Sequence, residues 1–159
     1  MTGPRGTFLY WMMLLTVLGV ARTASATTAP ADPCALLTAT AVGSAAGASF
    51  NPPQSTVAPR PFANTVEGTD CRYSPKGSGD GLLFRIYFDP SPADATGLFA
   101  RLKMFFGPPT AVTGVGDEAY FDGRGGLHAR KGNVRFYLEM HGNQQAALKT
   151  LGAQVAGSL

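Results

Sequence analysis

Cysteine, histidine and tryptophan are scarce in this 159-residue chain, at two, two and one, and charged residues make up only 14% of it. Each scarcity removes a class of chemistry. Cys34 and Cys71 stand far apart with no Cys-x-x-Cys spacing, which argues against a redox pair or a cysteine-held metal. His128 and His141 are too few for a histidine-rich metal site, and no Gly-x-Ser-x-Gly elbow is present to seat a hydrolytic serine. Gly114-Val115-Gly116 is a lone Gly-x-Gly, and the residues after it read as a strand, whereas a phosphate loop opens onto a helix. It is better explained as turn geometry. Asp117 and Glu118 fail as an acid/base pair, because neighbours in a strand point to opposite faces. No catalytic set, metal or cofactor is therefore expected.

What the chain has in abundance at its start is apolar residues. After Arg5, Phe8 to Leu15 runs unbroken and continues past Thr16 to Ala21, and Ala24-Ser25-Ala26 offers the small-x-small pattern read by a signal peptidase. The apolar stretch of about 14 residues falls short of the roughly 20 that span a bilayer core. Residues 1 to 26 are thus expected to be a cleaved export signal, placing the protein in the periplasm or outside the cell with no membrane span in the mature chain. A lipid anchor would need a cysteine directly after a Leu-x-Ala/Gly-type site, but Cys34 follows Ala31-Asp32-Pro33.

Removing residues 1 to 26 takes Arg5 and Arg22 and no acid with it, leaving 11 basic against 10 acidic residues. A nucleic-acid partner, which needs a concentrated basic face, is not indicated. Thr27 to Leu159 suffices for one domain. In an oxidising compartment its two cysteines read as one disulfide, Cys34 to Cys71, worth roughly 4 kcal/mol in the chain-entropy model.

Thr27 to Ala31 should fray. A helical turn at Asp32 to Leu37 leads to a short helix capped by Thr38 and ended by Gly47. Pro52, Pro53, Pro59 and Pro61 then mark an irregular arm with room for an edge strand near Thr56-Val57. Asp70 to Ser74 and Leu82 to Asp89 form a hairpin. Ser91 or Asp89 starts a helix with an apolar stripe of Leu98, Phe99, Leu102, Phe105 and Phe106, stopped at Gly107-Pro108-Pro109. Glu118 to Phe121 is a strand, Leu127 to His141 a second hairpin turning at Gly132-Asn133, and Asn143 the cap of a last helix carrying Leu148, Leu151 and Val155. The order α-β-β-α-β-β-β-α predicts an α+β domain: an antiparallel sheet of about five strands with helices packed on one face.

The second hairpin alternates cleanly. Leu127, Ala129, Val134, Phe136, Leu138 and Met140 fall on one face; His128, Arg130, Arg135, Tyr137, Glu139 and His141 fall on the other. If Gly132-Asn133 is the turn, Lys131 pairs with Val134 and His128 with Tyr137, which sets His128 and His141 roughly 13 Å apart, too far to share a zinc ion. Both then read as solvated surface histidines. With Arg72, Arg85 and Tyr87 of the first hairpin, this polar set is the candidate site: His128, Arg130, Arg135 and Tyr137 with Arg85 and Tyr87. Arginine and tyrosine together suit recognition of an anion or a protein. A solvated sheet face also carries such residues as a matter of course, and on that expectation replacing Arg130 and Arg135 by Ala leaves folding nearly intact.

Asp32-Pro33-Cys34 with Leu36-Leu37-Thr38, Cys71-Arg72-Tyr73, Gly114-Val115-Gly116-Asp117-Glu118-Ala119-Tyr120 and Arg130-Lys131-Gly132-Asn133 together resemble small exported bacterial domains of unknown function, many of them lipoproteins. The likeness covers most of Asp32 to Val155. It implies a fold, paired cysteines and an envelope location, and brings no catalytic residues with it. Two functions fit: a non-catalytic extracytoplasmic binding or interaction module for an envelope protein or small anionic ligand, and a small envelope hydrolase with an unrecognised site.

Overall fold

The computed structural model describes residues 26–142 and 144–159. All but the last residue of the expected export signal, and Asn143, lie outside the described residues. A 3-10 turn, Pro33–Leu36, is capped by Asp32, whose Oδ1 accepts from the Cys34 amide at 3.0 Å. Helix α1, Ala39–Ala46, starts where Thr38 Oγ1 accepts from the Ala41 amide and stops at Gly47, whose φ of 69° suits glycine. Strands β1 (Gln54–Ala58), β2 (Gly68–Tyr73) and β3 (Leu82–Phe88) precede helix α2, Pro92–Phe105, which Ser91 caps with Pro92 in its first turn. Strands β4 (Thr110–Val112), β5 (Glu118–Phe121), β6 (Leu127–Lys131) and β7 (Val134–Met140) lead to helix α3, Gln145–Gly157. Gln144, at the N-cap of α3, makes no side-chain capping bond.

The strands form one antiparallel sheet in the order β1-β2-β3-β7-β6-β5-β4, seven strands where about five were expected. The two beyond that count are both edges, and one of them, β1, runs through Thr56-Val57, where an edge strand had room. Strand β1 occupies the proline-bounded arm, where Pro52, Pro53, Pro59 and Pro61 leave only five residues free to pair. Strand β4 is three residues long after Pro108-Pro109, too short to show alternation. In the centre the two hairpins meet through β3 and β7, with Phe84 opposite Leu138 and Ile86 opposite Phe136. The β6–β7 register is the one the turn residues predict, Lys131 on Val134 and His128 on Tyr137.

The apolar core lies on the face made by Phe84, Ile86, Leu127, Ala129, Phe136 and Leu138, closed by Val42 of α1 and by Leu148, Leu151 and Val155 of α3. Gly152 of α3 lets that helix lie close: a Cβ there would stand 2.6 Å from Leu127. Cys34 and Cys71 form the disulfide, tying the 3-10 turn to β2, and the buried Tyr73 hydroxyl donates to the carbonyl of Leu37 beside it. Thr27 is not frayed, because the Asn133 side chain holds it.

The helices do not share one face. Phe99 of α2 meets Tyr120 edge to face at 5.2 Å, and Tyr120 pairs with His128, on the side opposite the apolar core. Of the α2 stripe, Phe99 is buried there and Leu98 and Leu102 are half-buried, while Phe105 stays exposed; α1 and α3 already fill the first face.

Candidate functional site

Pairing brings the polar residues predicted for the site onto one face beneath α2. The β3–β7 register sets Arg85 beside Tyr137 and Tyr87 beside Arg135, and the β6–β7 register sets His128 beside Tyr137 and Arg130 beside Arg135. The expectation of a solvated face fails here. Arg135 is 2% exposed, and Tyr87 and His128 are each 6% exposed.

Burial is possible because acids remote in sequence neutralise the cations. Asp89, at the end of β3, takes Arg135 in a fork, with Oδ2 on Nε at 2.5 Å and Oδ1 on Nη2 at 2.9 Å. The Arg135 guanidinium carbon lies 4.9 Å from the Tyr87 ring centre, and its Nη1 is buried with no hydrogen-bond partner among the described residues. Asp70 of β2 holds Arg85 the same way, at 2.6 and 2.8 Å, which raises the Arg85 pKa further. The Tyr87 hydroxyl donates to the Pro59 carbonyl at 2.8 Å and so fixes the proline arm over the sheet. Arg130 sits at the periphery: Asp117 Oδ2 accepts from it at 3.0 Å and from the Gly132 amide at 2.7 Å. The Gly-Val-Gly segment therefore serves as a turn, with Gly114 and Gly116 at positive φ and β5 directly after it.

His128 is the centre of an aromatic stack rather than a surface histidine. Tyr120 lies parallel to it at 4.8 Å, Tyr137 tilts against it at 4.5 Å and Phe106 stands at 5.0 Å. Its Nε2 is 3.1 Å from Asp122 Oδ2, while Asp122 Oδ1 accepts from the Arg124 and Gly126 amides. Desolvation lowers the His128 pKa despite that bond, so the ring is neutral at pH 7 and Nε2 is its donor nitrogen. Burial pushes the Tyr120 and Tyr137 phenols well above their usual value. His141, by contrast, is exposed.

Above this face a groove of about 670 Å³ opens between α2 and the Pro59–Phe62 arm. Leu102, Phe105, Phe106 and Phe62 form its apolar wall; Arg85, Tyr87, Tyr137 and Glu139 lie along its floor. Phe105 is 71% exposed at the mouth, beside Phe62 at 5.9 Å. Arg124, at the rim, pairs with no acid among the described residues. Among the described residues, the groove lining includes no serine, threonine or cysteine. Asp70, Asp89, Asp122, Tyr120 and the α2 aromatics were missed from sequence. The signal for the acids was the near-equality of basic and acidic residues from Thr27 to Leu159, which asks where each cation finds a partner.

Comparison with family models, curated proteins and solved structures finds no match, so the reading of the site rests on its own geometry.

Proposed function

We propose that this is an exported, non-catalytic binding module whose site is the groove under α2, and that its ligand is a small amphipathic anion. The export signal expected in residues 1 to 26 supports a location in the periplasm or outside the cell. One observation carries the reading: a groove of ligand size with aromatic walls, in which Arg85 and Arg135 are already committed to Asp70 and Asp89 while Arg124 at the rim is not. The recognition role thus moves from the buried arginines to the aromatic walls, with Arg124 as the contact for a carboxylate or sulfonate head.

Two fluorescent probes test this. Anilinonaphthalene sulfonate, aromatic and anionic, should bind and brighten, and Arg124→Ala should weaken it by about 1 kcal/mol, roughly fivefold. Neutral N-phenylnaphthylamine should bind both forms alike, while Leu102→Glu should abolish both. Equal sulfonate affinity in Arg124→Ala would refute the head contact, and binding that survives Leu102→Glu would refute the groove.

The His128–Asp122 bond favours a second reading, a small envelope hydrolase with His128 as a general base on water. Ester turnover that is lost in His128→Gln would establish it.

A further inference from the structure

The residue that follows the expected cleavage point is held by a side chain 106 positions away. The Thr27 N–H donates to Asn133 Oδ1 at 2.6 Å, and Asn133 Nδ2 donates back to the Thr27 carbonyl at 3.0 Å. These two bonds engage both backbone groups of one residue, as a ladder neighbour would. Asn133 lies in the β6–β7 turn yet is 2% exposed. Its Nδ2 also donates to the Asp89 carbonyl at 2.8 Å, and its own carbonyl accepts from the Asp89 amide at 2.9 Å. With both Nδ2 protons spent on carbonyls, the amide cannot flip without losing them, and Oδ1 is left facing a donor. A hairpin turn needs no buried carboxamide, and burying one is costly unless its bonds are made. Here the N-terminal segment supplies two of the partners.

We propose that Asn133 is a receptor for the α-amino group that processing creates on Thr27. The proposal rests on the export reading above. Water hydrolyses the Ala26–Thr27 amide; Ala26 departs with the new carboxylate and Thr27 keeps the nitrogen, protonated to an ammonium. A single amide N–H on Oδ1 becomes a charged donor with three protons, and charge-assisted bonds are the stronger kind. The Thr27 carbonyl keeps its bond to Nδ2. A peptide bond whose N–H is held on Asn133 is not free to enter a peptidase cleft, so cleavage takes place while that bond is open, and the new ammonium then takes the amide's place on Oδ1. The new end is thereby fastened to the hairpin tip next to the Arg135–Asp89 pair.

The test starts from the full-length precursor made in an exporting bacterial host, with and without a glycine inserted between Ala26 and Thr27. Mass spectrometry of the recovered proteins gives each N-terminus. Acetylation of the terminal amine by an N-hydroxysuccinimide ester is then timed near neutral pH, each rate divided by that of the same chain in urea. The Thr27 amine should react about threefold to tenfold more slowly than the inserted glycine amine. Asn133→Ala, which removes the acceptor oxygen, should lose the protection. Equal normalised rates at the Thr27 and glycine ends would overturn the capture, a result that does not depend on whether Asn133→Ala folds. A mature mass that begins at another residue would instead overturn the cleavage reading and the proposal with it.

Discussion

On the sheet face under α3, Leu127, Ala129, Phe136 and Leu138 meet Leu148, Leu151 and Val155, all buried and all apolar. On the face under α2 the alternate residues of the same strands, His128, Arg135 and Tyr137 with Arg85 and Tyr87, are covered by aromatic and proline segments. The first face is held by dispersion and loss of apolar surface to water, which tolerates any shape-preserving swap. The second is held by forks and rings whose members need one another: remove Asp89 and a guanidinium is stranded. Alternation of polarity along a strand therefore reports register faithfully and says little about which face is wet.

The largest effect expected from breaking that contrast is at Arg135. Arg135→Ala leaves the Asp89 carboxylate buried and unpaired, and should lose about 3 to 5 kcal/mol in urea denaturation, as much as Leu138→Ala on the apolar face. This reverses the sequence-based expectation that the Arg130/Arg135 pair can be truncated without harm. Arg135→Met with Asp89→Asn removes both charges together and should recover much of the loss. A wild-type midpoint in Arg135→Ala would mean the face is wet after all.

Next comes the disulfide, which belongs to the apolar side. Cys34→Ser with Cys71→Ser should lose about 2 to 4 kcal/mol, because the closed loop constrains the unfolded chain. The groove probes should still bind, since the cystine touches β2 and the 3-10 turn rather than α2.

These contrasts also mark how far the sequence could be read. The helical turn from Asp32, the cap at Thr38, a helix started at Ser91 or Asp89 (Ser91 in the fold), the disulfide and the β6–β7 pairing were legible because each depends on neighbours in the chain or on a count with one solution. The six candidate site residues fell on one face for the same reason: strand parity is local. What was not legible was long-range. Asp89 lies 46 positions from Arg135 and Asp70 lies 15 from Arg85, and no periodicity joins them. Strand β4 has three residues, fewer than any alternation needs. The second cover, α2, was visible as a stripe, but its destination depended on knowing that α1 and α3 had taken the other face.

A smaller effect should separate the faces by pH. The His128 pKa is lowered from the ordinary 6.5, chiefly by desolvation, with Asp122 opposing. Between the folded and unfolded values the unfolded chain binds a proton that the folded one does not. Stability is thus fully present above about pH 6.5, falls as pH drops below it by at most about 1.4 kcal/mol per pH unit, and levels off once the folded imidazole protonates. His128→Gln, which keeps a donor for Asp122 but takes the ring out of the stack, should lower stability at every pH and flatten this part of the profile. An unaltered slope between about pH 7.5 and 5.5 would show that another group titrates.

The smallest effect is at Arg130, on the boundary between the buried polar face and water. Its side chain is 14% exposed and Asp117, its partner, is 42% exposed, so solvent screens the pair from one side. The bond at 3.0 Å to Asp117 is accompanied by one at 3.2 Å to the Gly132 carbonyl, both at the hairpin tip. Asp117 does not depend on Arg130 alone, because it also accepts from the Gly132 amide at 2.7 Å. Arg130→Ala therefore removes two bonds without stranding a buried charge, and should cost about 1 kcal/mol. That loss should shrink in high salt, since the pair is accessible to ions, whereas the loss in Arg135→Ala should not. Equal salt dependence of the two variants would erase the distinction between the interior of the polar face and its rim. A loss in Arg130→Ala as large as that in Arg135→Ala would extend the interior to the hairpin tip, and with it the set of arginines whose role is to hold the fold.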